Sequence, residues 1–161
     1  MQITLGLVLP PDEMSIAVVR RICRHALREV GVDVECGYNI ELALSEACTN
    51  ALKHAGLDQE YEVRLSMDAD RCTISVLDTG QGFDAGSSDA PGSHPMAEAG
   101  RGIELMRALV DRVTFENKPD AGTVVRLEKD LALRDDSLAG ALRQGRAQAE
   151  LQQAVTARDE G

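Results

Sequence analysis

The sequence ELALSEACTNALKHA, which runs from Glu41 to Ala55, decides how the rest of the chain is organised. Its apolar residues recur at helical spacing, which predicts an amphipathic helix with one buried face. The residues expected on that face are Ile40, Leu44, Ala47, Cys48, Ala51 and Ala55. At about 100° per residue, Glu46, Asn50 and Lys53 fall together on the opposite side. The predicted helix therefore carries a carboxylate, a carboxamide and an ammonium in a row.

These three polar side chains allow two interpretations. A carboxylate can accept a proton, an amide oxygen can ligate a hard cation, and an ammonium can hold a phosphate. The alternative is the ordinary solvated face of an amphipathic helix, and the helix alone does not decide between them. Glycine motifs further along the chain favour the first interpretation.

Composition and charge argue against several classes of function. The 161 residues suit one domain, and a 2% aromatic share predicts an aliphatic core. A formal net charge of -10 argues against sequence-independent binding to nucleic acid or to anionic lipid. The sequence shows no signal peptide and no apolar run long enough to span a membrane, so we expect a cytoplasmic protein. The 4 cysteines lack CxxC spacing and are expected to be buried, reduced thiols.

Before the central helix, the pattern predicts a strand and a first helix. Residues alternate between apolar and polar from Ile3 to Leu9, as in a half-buried strand. A helix should follow, with Asp12 or alternatively Ser15 as its N-cap, and Gly31 should end it. A break at Cys36-Gly37 is expected before the central helix, which should end near Gly56.

After the central helix, the pattern predicts two strands, a loop, a helix and two more strands. The strands are expected at Tyr61 to Met67, Cys72 to Leu77, from Val113, and from Thr123 to Leu127. Residues from Asp84 to Ala99 are rich in Gly, Ser, Asp and Pro and are expected to form a mobile lid, and Gly102 should open the last helix. This order predicts an α/β two-layer sandwich, with helices on one face of a mixed, largely antiparallel sheet.

Two further segments need separate interpretations. Residues 132–161 are rich in Ala, Gln and Arg, and we expect a marginal helix or disorder beyond a folded domain of residues 1–131. The first helix carries a row of arginines, for which the acid nearest in sequence is Glu29: Arg20, Arg21, Arg24 and Arg28. This row is either a solvated helix face paired with local acids or a docking surface for an acidic partner.

The first glycine motif is Asp78-Thr79-Gly80-Gln81-Gly82, at the end of the predicted central strand. A carboxylate there can accept hydrogen bonds from an exocyclic amine, and glycines let the backbone approach a flat ligand. An Asp-Gly turn is the alternative. The dinucleotide fingerprint is rejected because Gly86, Pro91 and Pro95 follow where its helix must begin.

The second glycine motif, Gly100-Arg101-Gly102, is expected directly before a helix. Free amides at a helix N-terminus, together with an arginine, form a seat for an anion. The alternative is a simple loop that leads into a helix. Gly122-Thr123, at the start of the last strand, is by default a turn.

Together these motifs resemble the GHKL ATPases, which have the Bergerat fold. The correspondences are Glu46-x-x-x-Asn50-Ala51-x-Lys53-His54 with the N box, Asp78-x-Gly80-x-Gly82 with the G1 box and Gly100-x-Gly102 with the G2 box. The segment from Ser45 to Ala51, SEACTNA, is most similar to the anti-sigma factor serine kinases of bacterial partner switching. The resemblance spans about residues 2 to 130, and the tail departs from it.

The resemblance implies a role for each matched residue. Asn50 would hold Mg²⁺, Asp78 would bind the adenine amino group of ATP, and Glu46 would act as base toward a serine hydroxyl. The other implied contacts are Gly80 and Gly82 at the adenine, Thr123 near it through water, and Lys53, Gly100, Arg101 and Gly102 at the phosphates. The implied partners are a sigma factor and a STAS-type anti-sigma factor antagonist, and the implied assembly is a homodimer.

Three hypotheses about function follow from the resemblance. The first is an ATP-dependent protein-serine kinase that also sequesters a sigma factor. The second is an ATP-gated binding protein without significant kinase activity, and Glu46 favours the first over it because phosphoryl transfer needs a base. The third, the catalytic half of a histidine kinase, is disfavoured because no long helix with a phosphorylatable histidine precedes the motifs.

Overall fold

The computed structural model describes residues 2–54, 59–78, 96–118, 122–137, 139–141, 143–145 and 147–149. Within these ranges the main elements are three helices and five strands with the order β1, α1, α2, β2, β3, α3, β4, β5. Their bounds are β1 Ile3–Leu9, α1 Glu13–Val30, α2 Val34–His54, β2 Tyr61–Met67, β3 Arg71–Asp78, α3 Met96–Leu109, β4 Arg112–Lys118 and β5 Gly122–Asp130. In the tail, residues 139–141, 143–145 and 147–149 are helical as well. No helix among the described residues is long and apolar enough to cross a membrane.

The five strands form one sheet in the order β1-β2-β3-β5-β4. All four pairings between these strands are antiparallel, so the described sheet has no parallel pair. β3 lies at the centre, as its apolar sequence predicts. The buried positions alternate along β2 and β3, which leaves polar and charged side chains, together with Leu77, on the other face. The predicted two-layer sandwich is confirmed.

The ends of α1 follow from local side-chain chemistry. Asp12 caps the helix, since its carboxylate accepts a hydrogen bond from the Met14 amide over 2.8 Å. Gly31 ends it in the left-handed conformation at φ 89°, where a side chain would be strained. Both predicted ends of α1 are confirmed.

The expected break at Cys36-Gly37 is wrong, because α2 already begins at Val34. Asp33 supplies the cap: its Oδ1 atom accepts hydrogen bonds from the amides of Glu35 and Cys36, over 2.9 and 3.3 Å. A cap that satisfies two free amides outweighs the helix-weakening effect of one glycine. Gly37 is therefore an interior residue of α2.

The expected start of the last helix is also wrong. α3 begins at Met96, so residues 96–99 of the expected lid are helical, and Gly100, Arg101 and Gly102 lie inside the helix rather than before it. The amides of these residues are then not the free amides of a helix N-terminus. Residues 84–95 of the expected lid lie outside the described residues.

α2 is the central helix of the core and packs against α1, α3 and the sheet. Its predicted apolar face is confirmed for the residues that the structure describes: Ile40, Leu44, Ala47, Cys48 and Ala51 are at most 2% exposed. Ala43, Glu41 and Ser45 are buried as well, so the helix is enclosed on more than one side. All 4 cysteines are free and buried, as expected.

The arginine row of α1 has a tertiary partner that its own sequence neighbourhood does not reveal. Glu41 of α2 is only 3% exposed, and its carboxylate accepts hydrogen bonds from Arg20 over 3.0 Å and from Arg24 over 2.8 Å. A tertiary contact therefore supplies the acid for Arg20 and Arg24 that the sequence neighbourhood lacks. Arg21 and Arg28 are exposed, and no partner is recorded for either among the described residues.

The beginning of the tail is packed against the connection between α1 and α2. Residues 132–134 run antiparallel to residues 31–33, through a bridge between Val32 and Leu133. The Asp33 amide donates to the Ala132 carbonyl over 2.7 Å, and Ala139 is only 3% exposed. The division into a domain of residues 1–131 and a tail stays a prediction, but the packing crosses that boundary.

Candidate functional site

The predicted base, Glu46, and the predicted metal ligand, Asn50, both meet α3 at a single glycine. A Cβ atom on Gly102 would lie 3.1 Å from Oε2 of Glu46, and 3.6 Å from Oδ1 of Asn50. Glu46 and Asn50 are one helical turn apart on α2 and are both half-buried. Gly102 is about fifty positions further along the chain than Glu46 and Asn50. The packing of α3 on α2 nevertheless brings the two motifs into contact.

Two other predicted residues form a pair on the sheet. Asp78 ends β3, Thr123 is its direct neighbour on β5, and the two are 4% and 2% exposed. The Thr123 amide donates a hydrogen bond to Oδ1 of Asp78 over 3.5 Å. Gly122 precedes Thr123 at φ 87°, a conformation that favours glycine. The end of the sheet thus holds a buried carboxylate beside a buried hydroxyl.

Other predicted contacts lie at the surface or outside the described residues. Lys53 in the last turn of α2 is exposed, and so are Gly100 and Arg101 of α3. The Lys53 and Arg101 side chains are long and cationic, so both can reach a phosphate from the surface. Gly80 and Gly82 of the first glycine motif lie outside the described residues.

Tyr61 also belongs to this region, although the sequence pattern marks it only as an inward position of a strand. It is the cross-strand neighbour of Asp78, and its hydroxyl shares a 2.6 Å hydrogen bond with that of Ser15. Burial raises the pKa of Tyr61 to about 12, so the hydroxyl stays neutral. A tyrosine at an inward position of a predicted strand indicates such a hydrogen bond, because a buried hydroxyl needs a partner.

The buried thiols of Cys48 and Cys23 are not reactive. Desolvation raises the pKa of Cys48 to about 12, and it does the same for Cys23. A thiol with so high a pKa is protonated at neutral pH and is a poor nucleophile or metal ligand. These cysteines fill the core, and the polar chemistry of the region belongs to the carboxylates, the amide and the cations.

The donor set near Gly102 fits a cation that is held mainly by a ligand's own oxygens. Gly102 lets α3 come close to both oxygens, since a Cβ there would lie 3.1 Å from Oε2 of Glu46 and 3.6 Å from Oδ1 of Asn50. Among the described residues no group of three or more His, Cys, Asp or Glu could hold a metal ion by itself. Magnesium is commonly bound in this way, through one or two protein oxygens together with substrate phosphates and water.

Comparison with protein families gives a match over most of the chain. Residues 9–129 match the model of the histidine kinase-like ATPase domain. A serine-protein kinase RsbW of Halalkalibacterium halodurans is 32% identical over 138 residues, which cover 80% of this chain and 83% of that protein. The serine-protein kinase RsbW of Bacillus subtilis is 28% identical and is covered to 82%.

Two further similarities are more distant. An anti-sigma F factor of Heyndrickxia coagulans is 29% identical over 59% of this chain and 70% of its own length. The crystal structure of the RsbU and RsbW domains of a Mycobacterium tuberculosis protein is similar in fold, with a TM-score of 0.58 at 24% identity. That match covers 80% of this chain and 32% of the other.

Proposed function

The chain belongs to the histidine kinase-like ATPase family and to its branch of RsbW-type serine-protein kinases, and from that premise we propose that it is an ATP-dependent anti-sigma factor and protein-serine kinase. It binds a sigma factor and transfers the γ-phosphate of ATP to a serine of an anti-sigma factor antagonist. In this way it regulates transcription by partner switching. We further propose that the antagonist is of the STAS type and that the kinase acts as a homodimer in the cytoplasm.

One observation carries the proposal. Glu46 and Asn50 lie on one face of α2, and α3 approaches that face at Gly102 so closely that a Cβ atom there would lie 3.1 Å from the Glu46 carboxylate. Phosphoryl transfer needs alignment of the reacting groups, neutralisation of phosphate charge and a base for the attacking hydroxyl. The Glu46 carboxylate supplies the base, and it lies one helical turn from the Asn50 amide oxygen, which is the proposed cation ligand.

The proposed role of each residue follows from its chemistry. The Asn50 amide oxygen ligates Mg²⁺, which supplies charge neutralisation at the phosphates. The cationic side chains of Lys53 and Arg101 contact the phosphates, and Glu46 accepts the proton of the serine hydroxyl. Gly100 and Gly102 lie inside α3, where Gly102 lets this helix approach α2. The buried Asp78 carboxylate accepts from the adenine amino group, Thr123 reaches the base through water, and Gly80 and Gly82 line it.

A crossed pair of substitutions tests the proposal. Glu46→Ala should bind Mg-ATP nearly as well as wild type but phosphorylate the antagonist roughly 10²–10⁴-fold more slowly, the range for loss of a general base. Asp78→Asn should lose roughly 1–3 kcal/mol of ATP affinity, because an amide is a poor acceptor for the amine. Calorimetry measures the ATP affinity of each variant, and transfer of labelled phosphate to the antagonist measures its kinase rate.

Glu104→Ala is the matched control, since Glu104 is an exposed carboxylate of α3. It should leave both quantities unchanged. An equal transfer rate for Glu46→Ala and wild type would remove the base and favour the second function, an ATP-gated binding protein without kinase activity. Unchanged ATP affinity in Asp78→Asn would remove the adenine assignment.

A further inference from the structure

A groove lies on the side of the molecule formed by the connection between α1 and α2. It has a volume of about 500 Å³ and lies between the C-terminal half of α1, the first turns of α2 and the start of the tail. Leu27 and Val32 form its floor and are 2% and 3% exposed. None of the residues proposed to handle ATP lines it, so the groove needs an explanation of its own.

The rim of the groove is apolar and yet faces solvent. Val34 and Tyr38 both line it, and they are 77% and 59% exposed. They stand one helical turn apart on α2, so they present one continuous apolar strip along the groove. Large apolar side chains grouped at a concave surface are typical of sites that bind another molecule.

The groove is positively charged although the chain as a whole carries -10. Arg24, Arg28 and Arg134 line it. The two acids that line it are already engaged, because Glu41 accepts from Arg20 and Arg24, and Asp33 caps the amides of α2. Arg134 pairs with the exposed Asp136 over 3.5 Å, and a surface ion pair of this kind contributes little. Arg28 has no recorded partner among the described residues, so it is the uncompensated positive charge at the rim.

Gly37 is the observation that points to an occupant. It lies inside α2, where glycine weakens a helix relative to alanine, and a Cβ there would meet nothing within 4 Å. No internal contact therefore requires glycine at this position. Because Gly37 lines the groove, its missing side chain lets another polypeptide backbone approach α2 closely, as small residues do at close helix contacts.

We propose that this groove docks an acidic amphipathic helix of a partner protein. The apolar side of that helix lies over Gly37 between Val34 and Tyr38, and its carboxylates pair with Arg28 and replace Asp136 at Arg134. Helix-in-groove recognition combines these two elements, with apolar anchors for affinity and guanidinium–carboxylate pairs for orientation. The proposal does not depend on ATP or on kinase activity, so it can fail independently of the proposed function.

The test uses a synthetic helical peptide with leucine on one face and glutamate on the other. We expect it to bind the full chain, to bind more weakly as salt rises, and to shift the amide resonances of residues near Val34 and Tyr38. The same peptide with glutamine in place of glutamate should bind about tenfold more weakly. Absence of binding by the glutamate peptide, or equal binding by both peptides, would overturn the proposal.

Two substitutions in the protein locate the site. Gly37→Leu fills the space over α2 that the peptide would occupy, so it should weaken peptide binding by about tenfold or more. Leucine is the better helix former, so the fold should be retained. Arg28→Glu should have a similar effect because it reverses an exposed charge. The matched controls are Gly145→Leu, another helical glycine with an open Cβ position, and Arg126→Glu, an exposed arginine on the sheet.

Both controls should bind the peptide within about twofold of wild type. If the controls weaken peptide binding as much as the groove variants do, the peptide binds nonspecifically and the proposed docking site is wrong. Unchanged binding in Gly37→Leu, with thermal unfolding like that of wild type, would overturn the close approach over α2.

Discussion

Gly102 links α3 to the proposed catalytic carboxylate. A Cβ atom at this position would come within 3.1 Å of Oε2 of Glu46, so the carboxylate would have to move by a few tenths of an ångström. Alanine is also the better helix former, by up to about 1 kcal/mol. Gly102→Ala should therefore raise the free energy of unfolding and slow phosphate transfer by roughly tenfold, because small displacements of a catalytic group are costly.

Gly145→Ala is the control for this prediction, because a Cβ there has nothing within 4 Å. It should change stability in the same direction but leave the transfer rate alone. Urea unfolding measures the first effect and transfer of labelled phosphate the second. A Gly102→Ala protein with wild-type transfer would mean that Glu46 does not need its present position.

A site residue can be predicted from the sequence when a local pattern places it, and cannot be predicted when its position depends on contacts between distant parts of the chain. Asp78 and Thr123 could be singled out because a strand end beside glycine is a local pattern, and the register then makes them neighbours. The contact of Gly102 with Glu46 could not, because it depends on where α3 begins. That start lies in residues without apolar periodicity, which is the signal by which helices are recognised.

At the scale of elements, the junction of α1 and α2 shows what local patterns omit. The caps at Asp12 and Gly31 are local and could be predicted. The pairing of Glu41 with Arg20 and Arg24 could not, because it joins residues 17 and 21 positions apart on different helices. Reversing the charge of Arg20 or Arg24 would set a carboxylate against the buried Glu41, so Arg21→Glu is the cleaner test of partner docking on α1.

The same ion pair predicts how stability depends on pH. Hydrogen bonds from Arg24 hold the pKa of Glu41 below its ordinary value, in spite of the opposing effect of burial. The stabilisation is therefore complete above the unfolded-state pKa of about 4.3 and is lost as pH falls through the lower folded-state pKa. Glu41→Gln should lower the free energy of unfolding by about 1–2 kcal/mol at pH 7.

The difference between Glu41→Gln and wild type should shrink as the pH falls below about 4. Glu62→Gln is the control, since Glu62 pairs with Arg64 at the surface, where an ion pair contributes little. It should be near wild type at every pH. Denaturant unfolding at several pH values measures these differences, and a Glu41→Gln deficit that persists undiminished at pH 3 would contradict the linkage.

At the scale of the whole molecule, the order of elements and the two-layer architecture follow from periodicity alone. The position of β5 between β3 and β4 does not, because a strand that returns between two others is fixed by packing over the whole sheet. The packing of the tail is the clearest further feature that the sequence pattern does not predict. Its sequence has few large apolar residues, so it predicts marginal structure, yet its small residues Ser137 and Ala139 are buried.

This packing predicts that the tail stabilises the domain that precedes it. Residues 132–134 pair with residues 31–33, and the Arg134 amide donates to the Gly31 carbonyl over 2.8 Å. A chain that ends at Leu131 loses these bonds and uncovers Val32, so its free energy of unfolding should fall by about 2–4 kcal/mol. A chain that ends at Ala149 keeps the same contacts and should unfold like wild type. If the two shortened chains unfold at the same denaturant concentration as the full chain, residues 132–149 are dispensable, and the folded domain ends at residue 131 as its sequence predicts.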